Sequence, residues 1–388
     1  MDLEAFRWLL TDDGQRLLAD AEACADLDPL AAQTRLRLTA SSEHAAAALT
    51  QATLRRRAEP KFGDLAARLY FTPDGLEQAT RPAVARHRAA RLAAFEARTL
   101  VDLGCGIGGD LVAAAEVGTV CAGVDLDPVR VAVAEANLAA LGLAGAVMVA
   151  DAVDVDTRPF DVAFADPARR SARGRSFSVD DWTPPWSFVE GLLRRDSCVK
   201  VAPGIPHDLV PTGVEAEWVS DHGEVKEAAL WSGRLATCAR RATVIGRGGL
   251  ATLTDEDDPG APASRSGVGA FLYEPDGAVI RAGLVTAVAA GVGGWLPDEH
   301  MAYVSSDAAY RTPFARAYAV REELPYREKQ LKAALRDRGI GRLTIKKRGV
   351  DVVPEELRKR LQLSGDDEAT LVMTRVAGAG TALLVDPL

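Results

Sequence analysis

The chain lacks the features that mark a membrane protein or a disulfide-built one. No uninterrupted apolar run approaches the length of about 18 residues that a membrane span needs. No cationic stretch followed by an apolar one opens the sequence, as a secretory signal would. Cysteine is scarce: Cys24, Cys105, Cys121, Cys198 and Cys238 are scattered, with no C-x-x-C pair and no His/Cys cluster. That spacing excludes a zinc motif and points to reduced core thiols in a cytoplasmic protein with no metal. A net charge of −9 argues against indiscriminate nucleic-acid binding but permits a local basic face. The rest is ordinary for a soluble globular chain, 48% apolar and 26% charged. Its 388 residues are enough for about two or three domains.

What is present is organised around the stretch Thr99 to Asp110. Thr99 to Leu103 form an apolar run that reads as a buried parallel strand. The run ends in a glycine cluster, and Leu111 to Glu116 follow at helical spacing. Strand, glycine turn and helix make the ligand-binding corner of a doubly wound α/β sheet. Gly104, Gly106 and Gly109 satisfy G-x-G-x-x-G, whereas Gly104, Gly106 and Gly108 satisfy G-x-G-x-G. Asp102 favours the second pattern, because a carboxylate two residues before the first glycine repels a diphosphate and suits an ammonium.

Acidic residues recur where the next strands end. Val120 to Asp125 read as a second strand. Asp125 stands 21 positions after Gly104, the spacing of a carboxylate that accepts from ribose hydroxyls. A helix from Pro128 to Leu141 follows, then a third strand, Ala146 to Ala150, ending in Asp151-Ala152. A fourth strand, Phe160 to Ala165, delivers Asp166-Pro167-Ala168-Arg169-Arg170 at the carboxyl end of the sheet, where such folds bind ligands. An acceptor oxygen beside a proline-fixed carbonyl suits an exocyclic amine, whose two N–H protons need partners. Arg169, Arg170, Arg173 and Arg175 suit phosphate, while Phe177, Trp182 and Trp186 offer a stacking face. Cys198 to Ala202 read as a fifth strand, Val214 to Val219 and Glu227 to Leu230 as a hairpin, and Ala242 to Ile245 as the last strand.

The flanks differ in character. Residues 1–60 read as helices broken at Asp28-Pro29 and near Glu59-Pro60. Tyr70 to Thr80 hold a turn and a helix start, with Thr72 as cap and Pro73 in the first turn. Residues 252–266 read as an acidic Pro/Gly linker, and Ala270 to Ile280 as strand, turn, strand, before a helix from Leu284 to Ala290. Between Arg321 and Arg360, 13 Lys/Arg stand against 7 Asp/Glu. A basic helix and the Lys346-Lys347-Arg348-Gly349 loop suit contacts to an RNA backbone.

These motifs resemble those of the class I S-adenosylmethionine-dependent methyltransferases, whose first motif is acidic-x-G-x-G-x-G. Relatives acting on exocyclic amino groups carry [D/N]-P-P-[F/Y/W] where this chain has Asp166-Pro167-Ala168-Arg169. They carry an F-T-P element where it has Phe71-Thr72-Pro73. Most of the chain is similar to the bacterial members that end in a THUMP-like domain. The shared stretches are F-T-P-D-G-L-E-Q-A-T, D-L-G-C-G-I-G-G-D, D-P-A-R-R, K-V-A-P-G and E-P-D-G-A-V-I-R-A-G-L-V.

The resemblance implies a Rossmann-like methyltransferase domain over residues 61–248, after a helical region over 1–60. A small α+β unit over 267–311 and a THUMP-like domain over 312–388 follow. It implies S-adenosylmethionine as cofactor, met by Phe71, Thr72, Asp102, Gly104, Gly106, Gly108, Asp125, Leu126, Asp151 and Ala152. It also implies an acceptor held by Asp166, Pro167 and Arg169, with RNA (tRNA or rRNA) as substrate. His207 and His222 are not expected to act as bases, since amine methylation needs little beyond positioning. The rival readings are a methyltransferase for a small molecule or protein, and an RNA-binding assembly factor with a vestigial pocket.

Overall fold

The computed structural model describes residues 2–24, 28–169, 182–260, 265 and 267–388, with the backbone alone at 168, 169 and 182. Arg170, Arg173, Arg175 and Phe177 lie outside the described residues. The chain divides into two compact units, residues 1–214 with 229–237, and residues 215–228 with 238–388.

The first unit begins with helices whose starts are written in the sequence. The side chains of Asp2, Thr11, Asp28 and Ser41 each accept a backbone N–H of the turn that follows. They open α1 (Leu3–Leu9), α2 (Asp12–Glu22), α3 (Pro29–Leu36) and α4 (Ser42–Phe62). Phe6, Leu9, Leu18 and Leu36 join Ala45, Ala48 and Ala52 of α4 in one core. Contrary to the expected break, α4 continues through Glu59-Pro60. Proline there forfeits one internal hydrogen bond, but Ala58 and Phe62 are buried around it and hold the turn.

Two buried amides then pin the approach to the sheet. Gln51 of α4 accepts from Phe71 N at 3.1 Å and donates to its carbonyl at 2.6 Å. Asn137 does the same for Tyr70, at 2.7 and 3.1 Å, and donates also to the Ile107 carbonyl at 2.9 Å. Two short helices follow, α5 (Pro73–Gln78) and α6 (Pro82–Ala94).

The sheet of this unit is built from β1 (Thr99–Leu103), α7 (Gly109–Glu116), β2 (Val120–Asp125), α8 (Pro128–Leu141), β3 (Gly145–Val149) and β4 (Val162–Ala165). A separate two-strand ribbon of β5 (Ala168–Arg169) and β6 (Trp182–Thr183) follows, then α9 (Trp186–Leu192) and a further sheet strand, β7 (Ser197–Val201). The order is β3-β2-β1-β4-β7, every pair parallel. Strand order reverses between β1 and β4, which opens a crevice beyond their carboxyl ends. β3 and β7 each begin one residue earlier than expected. The cysteines are free thiols, all but Cys238 buried, and burial together with the Asp102 charge pushes the Cys121 thiol up to about 12.

The second unit opens with β8 (Glu215–Asp221) and the first part of β9 (Glu224–Ser232, whose last four residues belong to the first unit), followed by β10 (Arg240–Gly246) and β11 (Gly249–Thr254). β10 runs parallel to β8 and antiparallel to β11. The start of the expected linker is therefore strand, since Thr252, Leu253 and Thr254 pair with Thr243, Ala242 and Arg241. Beyond it come β12 (Phe271–Pro275), α10 (Gly277–Ala282), α11 (Val285–Gly291), β13 (Val304–Ser306) and β14 (Ala315–Leu324). The expected strand at Ala278 to Ile280 is α10 instead. Asp276 caps it by accepting from Ala278 N at 2.8 Å, and a left-handed Gly283 ends it.

The chain finishes with α12 (Glu328–Asp337), β15 (Ile340–Lys347), α13 (Pro354–Leu361), β16 (Asp367–Val376) and β17 (Ala379–Pro387). The second sheet is ordered β13-β12-β14-β17-β16-β15, with only β15 and β16 parallel. Leu331 and Leu335 of α12 and Leu357 and Leu361 of α13 share a core with Leu343, Ile345 and Leu371.

Candidate active site

The turns that follow β1, β2, β3 and β4 wall one cleft of about 590 Å³ in the first unit. Gly104 and Gly106 adopt positive φ, +102° and +55°, so the chain reverses directly over the end of β1. The amides of Gly104 and Cys105 donate to the Val124 carbonyl at 2.9 and 2.8 Å, which locks the turn to β2. Asp125 shapes the same turn, accepting from Gly106 N at 3.0 Å and from Asp127 N at 2.9 Å. Each carboxylate oxygen keeps a further lone pair for a ligand. A Cβ on Gly106 would meet no protein atom within 4 Å, so the space above the turn is open. Leu126, 63% exposed, and Ala152 give this end of the cleft apolar surface. Asp151 stands beside them and accepts from Val153 N at 3.1 Å.

Three expected cofactor residues are placed elsewhere. Phe71 is fully buried among the N-terminal helices, edge-on to Phe62 at 5.2 Å, because Gln51 draws its backbone inward. Thr72 turns its hydroxyl to Gly75 N at 3.0 Å and serves as the cap of α5. The same segment reaches the cleft through Gly75, Gln78, Ala79 and Thr80 instead. Gly108 is the left-handed cap of α7, and a Cβ there would stand 3.1 Å from Ala134 Cβ. Its glycine is required by the approach of α7 to α8. Gly108→Val is expected to cost about 1–3 kcal/mol of stability, read from the urea midpoint; an unchanged midpoint would refute this account.

The floor of the cleft is acidic. Asp102 is 1% exposed, and its Oδ1 is buried without a hydrogen-bond partner among the described residues. Burial first, then the nearby carboxylates of Asp110 and Asp166, pushes its carboxyl well above the ordinary aspartate range, against the pull of Arg88. Around it runs a chain of polar contacts. Asp166 Oδ2 accepts from Lys200 Nζ at 2.6 Å, and Lys200 donates also to Thr80 Oγ1 at 3.3 Å. Thr80 donates to Asp110 Oδ2 at 2.8 Å, and Asp110 Oδ1 takes the Arg88 guanidinium. The Arg88 guanidinium in turn lies 4.6 Å over the Phe164 ring.

Lys200, Thr80, Asp110 and Arg88 went unassigned in the sequence, although the first three sit inside motifs quoted above. Their chemistry depends on distant partners, which no local pattern reveals. Asp166 reaches the cleft, and Pro167 is buried beside it. The backbone of Arg169 pairs with Trp182 in the ribbon, and its side chain lies outside the described atoms. Trp186 starts α9 with its indole N–H on Glu190 at 3.1 Å, away from the cleft wall. Thr183, Pro184 and Pro185 also line the cleft. The hydroxyl of Thr183 is buried with no partner among the described residues.

Six carboxylates line one cleft (Asp102, Asp110, Asp125, Asp127, Asp151 and Asp166), which favours a cationic ligand with hydroxyl groups and opposes a diphosphate.

The chain is similar to known proteins over most of its length. Residues 315–387 match the family described as THUMP domain-like, and residues 2–58 match a domain family of unknown function. An uncharacterised S-adenosylmethionine-dependent methyltransferase of Mycobacterium tuberculosis, found in two strains, is 40% identical over 339 residues. The match covers 84% of this chain and 92% of that protein. A crystal structure described as that of a "putative methyltransferase" from Porphyromonas gingivalis W83 superposes with a TM-score of 0.77 at 22% identity. It covers 96% of this chain and 98% of that one, which establishes the shared fold.

Proposed function

The chain belongs to the family of S-adenosylmethionine-dependent methyltransferases, and from that premise we propose that it methylates an amino group of a nucleobase in RNA. The cofactor suits the cleft on the structure's own terms. The unpartnered Asp102 oxygen meets the need of an ammonium, Asp125 that of a ribose diol, and Leu126, Asp151 and Ala152 that of an adenine. The open turn at Gly104 and Gly106 leaves room for a ligand to lie against the backbone. Bound there, S-adenosylmethionine supplies an electrophilic methyl on a sulfonium.

The observation that carries the proposal is Asp166 in this cleft, one residue beyond β4, with Pro167 next to it and Lys200 fixing one of its oxygens. A carboxylate so held accepts an N–H of the incoming amine and orients its nitrogen, which is the assistance a weak, delocalised nucleophile needs. RNA is supported by the THUMP domain-like match and by the basic residues between Arg321 and Arg360. Several of these basic residues are spent on surface ion pairs, as in Arg338–Glu322, Arg342–Glu368 and Arg360–Glu328.

Two measurements test the reading. S-adenosylhomocysteine titrated into Asp125→Ala protein is expected to bind about 10- to 100-fold more weakly than to wild type, from the loss of charge-assisted bonds. Equal affinity would remove Asp125 from the site. Labelled methyl from S-adenosylmethionine is expected in the RNA fraction of a strain lacking the gene. Label confined to protein or small molecules would overturn the RNA assignment.

A further inference from the structure

The second unit holds its own cleft, of about 650 Å³, within the range of about 300–1,000 Å³ that holds small organic ligands. Its walls come from the turn between β8 and β9, the end of β10 with the residue after it, and strands β12, β14 and β15. Arg247, Arg316, Lys346 and Arg348 face it, against the carboxylates of Glu274 and Asp276. Asp276 has an oxygen engaged in capping α10.

Glu274 acts as an anchor for half of these cations. Its Oε2 accepts from Lys346 Nζ at 2.6 Å and from the Tyr318 hydroxyl at 3.0 Å, and its Oε1 lies 3.9 Å from Arg348. Burial opposes ionisation of Glu274, yet Lys346 and the Tyr318 hydroxyl hold its carboxyl below the ordinary range. The Lys346 ammonium rests 5.4 Å over the Tyr318 ring and the Arg348 guanidinium 5.3 Å over Tyr303. These two cations are thereby set in place before any ligand arrives.

Arg247 and Arg316 are different. Both are exposed and neither pairs with a carboxylate among the described residues. Arg316 spreads over the hairpin turn so closely that a Cβ on Gly223 would come within 3.0 Å of its Nη2. That turn places both His222 (φ +53°) and Gly223 (φ +82°) in the left-handed region. Such a two-residue turn favours Asn or Asp followed by Gly, and histidine is among the few other residues that tolerate the left-handed region. Its ring, hydrogen-bonded through Nδ1 to Asp221 at 2.7 Å, also faces the cleft. Guanidinium forks without a carboxylate match the planar, bidentate demand of a phosphate.

We propose that this cleft is a phosphate-binding site, with Arg247 and Arg316 as the ligand-gripping cations and Lys346 and Arg348 as the fixed ones. The phosphate is either a phosphodiester of the RNA substrate, an arm that rests on the function proposed above, or part of a free phosphorylated small molecule.

The test uses the full chain and its Arg247→Ala/Arg316→Ala double variant, with inorganic pyrophosphate as probe in calorimetry. Wild type is expected to bind pyrophosphate and the variant at least about tenfold more weakly, with S-adenosylhomocysteine affinity equal in both as the check on folding. Failure of wild type to bind, or equal affinity in the two proteins, overturns the site. Binding of a short single-stranded RNA between 50 and 200 mM salt separates the sources. Loss of about one to two units from the salt slope of the variant assigns the site to RNA. An unchanged slope with weakened pyrophosphate binding assigns it to a free ligand. If wild type binds pyrophosphate through these arginines but no RNA, the site stands and the RNA reading falls.

Discussion

Asp166→Ala is expected to lower methyl transfer by about a thousandfold, the loss typical of removing a positioned group at a reacting centre. The readout is labelled methyl incorporated into RNA from a strain lacking the gene. S-adenosylhomocysteine affinity is expected to stay near that of wild type, because the residues assigned to ribose, adenine and ammonium are untouched. The reason for the large effect lies in how Asp166 is held. One oxygen is committed to Lys200 at 2.6 Å, so the carboxylate does not rotate freely, and its remaining lone pairs stay aimed. Asp166→Asn separates two roles for this group. An amide oxygen still accepts an N–H, so an acceptor role predicts that Asn retains about a tenth to a hundredth of the rate. A general-base role predicts that Asn is as poor as Ala, because neither takes up a proton near neutral pH. Equal rates for wild type and Asp166→Ala would remove Asp166 from the chemistry altogether.

The parts of this site legible in the sequence are those whose signal is local. An apolar run followed by glycines fixed β1 and its turn, and a carboxylate at the next strand end fixed Asp125. Both are consequences of parallel strands that end at one edge of a sheet. Phe71 and Gly108 illustrate the limit. Each stands in a motif, but Phe71 is drawn into the core by Gln51, twenty residues away. Gly108 is claimed by Ala134 of a neighbouring helix. The network from Lys200 through Thr80 and Asp110 to Arg88 joins residues up to 120 positions apart. In sequence each of these four is an unremarkable polar residue.

Secondary structure was hidden for similar reasons at β14, for which the sequence offered no reading, and misread at α10. β14, Ala315–Leu324, carries Arg316, Arg321, Glu322 and Glu323 among its ten residues and shows no clean alternation. Its pairing with β12 on one side and β17 on the other makes it a strand. α10 took two β-branched residues of strand-forming character, Val279 and Ile280, because the cap at Asp276 and the left-handed Gly283 bracket them.

Asp102→Asn is expected to make the folded protein more stable and the cofactor weaker in the same substitution. In the folded state the carboxyl of Asp102 titrates above the ordinary 3.8, mainly through burial. Between 3.8 and that raised value the folded state holds a proton that the unfolded chain has released. Stability therefore falls as pH rises through this window, and above it the cost of the buried charge is complete. Asparagine carries no charge to bury. At neutral pH the variant is expected to gain about 1–3 kcal/mol against urea, and the gain is expected to shrink toward zero as pH falls to 4.

Cofactor binding runs the other way. An ammonium beside Asp102 favours the ionised carboxylate, so wild type releases a proton on binding and binds more tightly as pH rises. The variant is expected to lose about 10- to 100-fold in S-adenosylhomocysteine affinity together with that pH dependence. Paired calorimetry and urea unfolding between pH 4 and 8 read both effects. A variant that is less stable, or that binds as wild type does, would show that the Asp102 carboxylate is structural and that the ammonium is held elsewhere. The expected opposition of the two effects is the mark of a charge kept buried for a ligand, at the expense of the fold that carries it.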